Sequence, residues 1–424
     1  MNVHLTFNSP SAIRNPQLSI TGSKSETNRL LLLQALYPNL KLENTSNSDD
    51  SEVMTKALNS SFTIHHSSLI DVHHAGTAMR FLTAYFAIQE GKEVVLTGST
   101  RMKERPIKIL VEALQQLGAE ISYEEQEGFP PLRIKGKKLS HSKVSLPANV
   151  SSQYISALLL IAPKLENGLE LILEGEITSV PYIKMTLALL NEIGVETSFV
   201  DNIISVHPQF TIHNSHSSDS EQAEQFTIES DWSSASYFYS IIALSDIGTE
   251  INLSSYKPNS LQGDSALIEI YSALGVETIF ENNSILLRKT HNPQLTTLNL
   301  QLNNCPDIAQ TLAVTCFGLG IGCHLTGLHT LKIKETDRLE ALKAELTKLG
   351  AKVSVTHESL TLEPSENSNP NISIKTYQDH RMAMAFAPLA LKVPIVIEEA
   401  EVVSKSYPTF WNDLKSVGFK IENI

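Results

Sequence analysis

Residues 110–123 read LVEALQQLGAEISY. Leu110, Val111, Leu114 and Leu117 recur at helical spacing, Gly118 follows, and Glu120–Tyr123 then alternates. The spacing predicts an amphipathic helix that ends in glycine and passes into a strand. Glycine takes the left-handed position after a helix without a steric penalty. The same shape returns as LALLNEIGVETSFV (187–200), LIEIYSALGVETIF (267–280) and LKAELTKLGAKVSV (342–355), with a shorter echo, FWNDLKSVGFKIEN, at 410–423. The glycines stand at 118, 194, 275, 350 and 418, a period of roughly 70–80 residues. MTKALNSSFTI (54–64) reads as a sixth, degenerate copy that lacks its glycine. Each copy leaves an apolar helix face that other copies must cover. The expectation is therefore an α/β protein of repeated helix–strand modules, divided between two similar domains. No strand–GxGxxG–helix stretch occurs, which argues against a doubly wound dinucleotide fold.

The bulk composition agrees with that reading. A chain of 424 residues, 42% hydrophobic, is long for a single core, so two domains are the expectation. A net charge of −13 argues against a nucleic-acid-binding surface, which needs many cations to displace phosphate counterions. It leaves room for a small anionic ligand if the cations gather in one place. Cys305, Cys316 and Cys323 fit neither a disulfide framework nor a zinc pattern, and read as buried, reduced thiols. MNVHLTFNSPSAIR (1–14) shows no secretory signal, and no apolar run reaches membrane-spanning length, so the expectation is a soluble, cytoplasmic protein. HNSHSSDSEQAEQ (213–225) and EPSENSNPN (363–371) read as exposed loops.

The cations do gather at predicted loop-to-helix junctions. In TGSKSETNRLLLLQAL (21–36), Ser23 separates Gly22 from Lys24, and no glycine precedes at the distance a Walker A loop requires. What survives is a helix start, where free backbone N–H groups and the helix dipole favour an anion beside Lys24 and Arg29. A plain structural cap is the other reading. HHAGTAMRFL (73–82) is a second such start at Gly76 and Thr77. Its adjacent histidines point apart as a rule and have no third ligand nearby, so no metal is expected. In GSTRMKERPIKIL (98–110), Arg101, Lys103 and Arg105 crowd a loop ahead of Pro106, a favoured first helical residue, either as solvated charges or as ligand contacts. In LPANVSSQYISALLL (146–160), Ser151, Ser152 and Gln153 are caps or phosphate donors. IKETDRLEAL (333–342) carries an Asp-type capping box, Asp337 with Glu340, which places Lys334 and Glu335 just outside a helix. Glu335 between Lys334 and Arg338 is either an ion-pair cluster or an acid–base group beside anionic substrates. CPDIAQT (305–311) sets Asp307 at a helix start, and QDHRMAMA (378–385) and SKSYPTF (404–410) add His380, Arg381 and Lys405.

Taken in chain order, GSKSETNR, AGTAMR, RMKERPI, SSQY, KETDRL, DHRMAMA and SKSYPTF resemble the 5-enolpyruvylshikimate-3-phosphate (EPSP) synthase family over about residues 20–412. That resemblance implies the enolpyruvyl transferase fold: two domains, each of three βαβαββ-type units, with the active site in the cleft between them. One domain would comprise 1–21 plus 231–424 and carry the acid–base residues; 22–230 would form the other. The implied reaction transfers the enolpyruvyl group of phosphoenolpyruvate to the 5-hydroxyl of shikimate 3-phosphate through a tetrahedral ketal, releasing phosphate. It implies no metal, no organic cofactor and no nucleic-acid or membrane partner, and a monomer. By motif, Lys24, Ser25, Arg29, Ser151, Ser152, Gln153, Ser179 and Lys334 would bind shikimate 3-phosphate. Lys24, Gly76, Arg105, Gln153, Arg338, Arg381 and Lys405 would bind phosphoenolpyruvate. Asp307 would take the hydroxyl proton and Glu335 would protonate the methylene carbon. His74 and Phe81 depart from the family's usual Asn and Pro around AGTAMR. The related enolpyruvyl transferase acting on UDP-N-acetylglucosamine typically carries a Cys where this chain reads TRMKERP, and residues 1–304 contain none.

Overall fold

In a computed structural model the chain is described at every residue except 8–12, 14, 61–67, 178–179, 210–224, 335 and 366–367. It forms two compact units, Met1–Gly22 with Glu229–Ile424, and Ser23–Ile228.

The repeated sequence shape is the second half of a module. The module starting at Ser68–Asp71 continues through the helix Gly76–Ala87, the strand Glu93–Thr97, the helix Lys108–Gln116 and the strands Glu120–Tyr123 and Leu132–Lys135. In its sheet the first two strands pair in parallel, and the later hairpin adds antiparallel with its last strand innermost. The same order recurs in four more four-stranded sheets. Gly118, Gly194, Gly275, Gly350 and Gly418 all have positive φ, between 84° and 104°, where each amphipathic helix gives way to its strand. The sixth copy has its helix, Asp49–Leu58, but its expected strand falls in 61–67, outside the described residues.

Two modules are closed by distant chain. Gln17–Leu18 pairs in parallel with Glu250–Ser254, across the whole of the other unit's sequence. Val3–Phe7 is the inner strand of the last sheet, antiparallel to both Ile395–Ile397 and Phe419–Asn423. In the same manner Gln225–Thr227 pairs in parallel with Lys41–Glu43, joining the two ends of the Ser23–Ile228 unit.

The first helix of each module is the buried one. Gly76–Ala87, Ser152–Ile161, Trp232–Leu244, Ala309–Gly318 and His380–Phe386 bury nearly every side chain, and Lys24–Leu36 buries most of its length. Such helices are covered on nearly every face, and the Ser and Thr side chains among their buried residues bond to one another. In one unit, Ser236 bonds Thr311 (3.0 Å) and, a turn further along both helices, Ser240 bonds Thr315 (2.7 Å). Trp232–Leu244 and Ala309–Gly318 therefore run side by side in the same direction. In the other unit, Gln153 Nε2 donates to Thr77 Oγ1 (3.1 Å), so the starts of two buried helices meet. Parallel helices that begin together place their free N–H groups and positive dipole ends in one neighbourhood. No helix among the described residues is long and apolar enough to cross a membrane.

Candidate functional site

Each unit gathers its share of the motif residues at helix starts and in the loops and 3₁₀ turns beside them. In Ser23–Ile228, Ser23 caps Lys24–Leu36 by accepting from the Glu26 N–H, and Lys24 Nζ lies 3.5 Å from Asp50 Oδ2. Arg29, one turn in, is buried. Its Nε donates to Thr186 (2.8 Å), Nη1 to the Ser25 carbonyl (2.8 Å), and Nη2 to Ser156 (3.0 Å) and the Tyr182 carbonyl (3.3 Å). The rings of Phe81 and Tyr182 lie 5.5 and 5.9 Å from its guanidinium carbon. Burial pulls its guanidinium down to about 10. Arg29 thus knits three helices together with most of its donors.

The helix Gly76–Ala87 begins at Ala75 with no side-chain cap, which leaves its first amides for other acceptors. Over it lies Arg105: a Cβ built at Gly76 would stand 2.5 Å from Arg105 Nη1 and 3.0 Å from Cζ. Only glycine lets the guanidinium approach that closely. The Pro106 carbonyl, next in the chain, is gripped by Tyr154 Oη (2.5 Å) and Arg80 Nη2 (3.4 Å), while Arg80 Nη1 holds the Gly76 carbonyl (3.0 Å). Burial, with help from Arg105's charge, pulls Arg80 down to about 10. Arg101 and Lys103 take the solvated course. A short helix, Thr100–Lys103, capped by Ser99, directs them to Glu104 (2.8 Å) and Glu125 (2.6 Å). The following helix starts at Lys108 instead of Pro106, because Ile107 has the non-helical φ of −136°. Ser151 caps Ser152–Ile161, Ser152 is buried in its first turn, and Gln153 reaches Thr77. Ser179 lies outside the described residues.

In the other unit the centre is Asp307, in the 3₁₀ turn Pro306–Ile308 that leads into Ala309–Gly318. Its Oδ1 meets Arg338 Nη1 at 3.0 Å and Lys334 Nζ at 3.6 Å; its Oδ2 meets Arg381 Nη2 at 3.2 Å. Asp337 caps Arg338–Lys348 by accepting from the N–H groups of Leu339 and Glu340, both at 3.2 Å, which puts Lys334 outside the helix. Arg338 Nε also meets Asp379 Oδ2 at 2.6 Å, with side-chain exposures of only 2% and 0%. Asp379 in turn caps His380–Phe386 through the Arg381 N–H (2.8 Å). Charges so enclosed persist only when paired and hydrogen-bonded. Burial opposes Arg381's charge, but Asp307 and its acidic neighbours outweigh it and hold the guanidinium firmly protonated. Lys405 Nζ donates to the Gln378 carbonyl (2.8 Å), beside Asp379. Glu335 lies outside the described residues.

Four of the motif residues, Asp307, Lys334, Arg338 and Arg381, thus form one ion-paired group, and Lys405 adjoins it through Gln378. Gly76 with Arg105, and Gln153 with the start of the Gly76 helix, form a second group in the other unit. Reading the sequence missed the partners that fix these cations: Asp50, Arg80, Tyr154 and Asp379. Only Asp379 carried a signal, as an Asx residue immediately before a helical run. Among the described residues no three His, Cys, Asp or Glu side chains cluster as a metal site requires.

Residues 37–414 match the profile of the EPSP synthase (3-phosphoshikimate 1-carboxyvinyltransferase) family. The chain is 46% identical over 421 residues to the 3-phosphoshikimate 1-carboxyvinyltransferase of Bacteroides fragilis strain YCH46, covering 98% of each chain. It is 35% identical over 430 residues to the protein of that name from Haemophilus influenzae strain Rd, covering 95% of this chain and 96% of the relative. Its fold superposes on an EPSP synthase structure from Acinetobacter baumannii with a TM-score of 0.77, at 19% identity and over 100% of both chains.

Proposed function

This chain belongs to the EPSP synthase family, and from that membership we infer the reaction it carries out and the part each side chain plays. It transfers the enolpyruvyl group of phosphoenolpyruvate to the 5-hydroxyl of shikimate 3-phosphate, a step of aromatic amino acid biosynthesis. The hydroxyl oxygen bonds to C2 of phosphoenolpyruvate as C3 gains a proton, giving a tetrahedral ketal. That ketal then loses phosphate from C2 and a proton from C3, restoring the double bond. The first half needs a base at the oxygen and an acid at the carbon. We assign these to Asp307 and Glu335. Both substrates are anions, so cations must neutralise them and hold them in reacting geometry.

The observation that most supports this assignment is the grip of Lys334, Arg338 and Arg381 on a single carboxylate, Asp307. A phosphoenolpyruvate carboxylate or phosphate would share those guanidinium donors, which present planar forks suited to bidentate recognition. Arg105 and Lys405 complete the phosphoenolpyruvate set, with Gly76 and Gln153. Lys24, Ser25, Arg29, Ser151, Ser152, Gln153, Ser179 and Lys334 make up the shikimate 3-phosphate set. In this reading 1–21 with 231–424 supplies the acid–base pair, and 22–230 supplies most of the shikimate 3-phosphate contacts. The finer expectations are a monomer in the cytoplasm with no nucleic-acid partner. Three buried free thiols and a net charge of −13 support the second and third, and sedimentation equilibrium tests the first.

Measuring phosphate release from phosphoenolpyruvate with shikimate 3-phosphate, with UDP-N-acetylglucosamine and with no acceptor tests the reaction. Release with shikimate 3-phosphate alone is expected. Asp307→Asn and Glu335→Gln should each lower kcat by about 10²–10⁴ while shikimate 3-phosphate still binds. Comparable loss of binding would remove them from the acid–base roles.

A further inference from the structure

Two consecutive residues ahead of Asp379 hold a backbone conformation that side-chain-bearing residues avoid: Tyr377 has φ 55° and Gln378 φ 56°. A run of two such residues persists only where its surroundings over-determine it. The turn they form supports several of the site's charged groups. The Gln378 carbonyl receives Lys405 Nζ (2.8 Å). The Asp379 N–H closes the turn onto the Thr376 carbonyl (2.9 Å), and the Asp379 carboxylate then takes Arg338 Nε (2.6 Å) and the Arg381 N–H (2.8 Å).

The clamp on this turn comes from the helix Arg338–Lys348, the same helix whose first residue holds Asp379. Two turns along it stands Glu345, whose side chain is fully buried. Its Oε1 accepts from Tyr377 Oη (2.6 Å) and Lys348 Nζ (2.9 Å). Its Oε2 accepts from the Lys375 N–H (3.1 Å) and again from Lys348 Nζ (2.6 Å). One carboxylate therefore fixes both the entry to the turn and the ring of its first left-handed residue. The helix grips segment 375–379 at two points, Glu345 and Arg338.

We propose that Glu345, with Tyr377, is a positioning residue for the phosphoenolpyruvate cations: it holds the left-handed Tyr377–Gln378 turn so that Arg338, Arg381 and Lys405 keep their places. Glu345 touches no substrate, and the proposal rests on the assignment of those three cations to phosphoenolpyruvate. If the turn relaxes toward ordinary backbone, the Gln378 carbonyl leaves Lys405 and Asp379 swings off Arg338. The shikimate 3-phosphate contacts of the other unit are untouched.

The test is steady-state kinetics with both substrates on Glu345→Gln, Tyr377→Phe and each combined with Gln378→Gly, alongside thermal melts. Glu345→Gln is expected to raise KM for phosphoenolpyruvate on the order of tenfold, and Tyr377→Phe by about threefold, with KM for shikimate 3-phosphate within about twofold of wild type. Glycine accepts positive φ freely and keeps the carbonyl that Lys405 needs. Adding Gln378→Gly should therefore return KM for phosphoenolpyruvate most of the way to wild type. Equal rises in both KM values, a fall in melting temperature with neither KM moved, or a folded variant that glycine fails to rescue would each overturn the proposal. Should Glu345→Gln not fold, the Tyr377→Phe pair decides by the same criteria. Wild-type turnover with shikimate 3-phosphate is read in the same assay, so failure of the reaction assignment shows there and nowhere else.

Discussion

Gly76 and Asp264 show how much a single position can carry. A methyl group at Gly76 would overlap the Arg105 guanidinium, which must then move by several tenths of an ångström or more. Gly76→Ala is therefore expected to raise KM for phosphoenolpyruvate by about tenfold or more while leaving the melting temperature within a few degrees; kinetics and melts on one preparation check both. Asp264 is a buried carboxyl whose Oδ2 accepts from Ser233 Oγ, while its Oδ1 has no partner among the described residues. Burial first, then the negative charge of Asp307, push it up to about 7 from an ordinary 3.8, against the pull of Arg381 and Ser233. A carboxyl with a raised pKa in the fold lends stability that is fully present below about pH 4 and is lost as pH climbs to about 7. Asp264→Asn stays neutral throughout. The wild-type melting temperature should fall relative to that variant across this window, and parallel curves would mean the group is solvated. At this scale the chain's cations were legible as types in place, since Lys24, Arg105, Arg338 and Arg381 stand in short motifs. Of their acidic partners, Asp307 was legible at a helix start, while Asp50 and Asp379 were not read as partners. Asp379 meets Arg338 across 41 residues of sequence, and nothing local announces such a pair.

Among the elements, the amphipathic helices were legible along their length, whereas most of the buried ones showed only their starts, as at Lys24, Gly76, Ser152 and Ala309. LVEALQQLGAEISY declares one apolar face, one glycine and one strand, and Gly118 duly takes a φ of 102°. SQYISALLLI and WSSASYFYSIIAL show no such periodicity, because every face is covered in the fold. Their ends are also finished by residues far away. Lys289, the last residue of the strand Ser284–Lys289, is fully buried and donates to the Ala243 carbonyl (2.8 Å) and the Leu274 carbonyl (3.0 Å). It thereby satisfies acceptors at the ends of two helices, Trp232–Leu244 and Leu267–Ser272. Burial, aided by the charge of Lys392, lowers its ammonium to about 8. Lys289→Met keeps the bulk and leaves both carbonyls without that donor, at about 1–3 kcal/mol for each buried group left unsatisfied. A denaturation midpoint lowered accordingly, with kcat unchanged, is the expected result. An unchanged midpoint would mean water replaces the ammonium.

For the molecule as a whole, the decisive feature is invisible in any window of sequence. The ladder pairs Val3 with Ile397 and with Asn423, almost the full length of the chain away. The repeat predicts similar domains, yet no copy discloses that the last module borrows the first strand. Removing residues 1–7 should strip the inner strand from that sheet, along with Phe7, whose ring packs 4.9 Å from that of Phe419. The truncated chain is expected to be inactive, and limited proteolysis should cut within 229–424 well before 23–228. A truncated chain that resists protease like the full one would show the strand to be dispensable. The same ladder bears on how the polypeptide is made. Synthesis at about 5–20 residues per second spends on the order of tens of seconds between the first strand and the last. During that interval Ser23–Ile228 emerges as one uninterrupted segment and can settle. Val3–Phe7, which leaves the ribosome ahead of that segment, must wait, a β-strand whose neighbours are translated only after it.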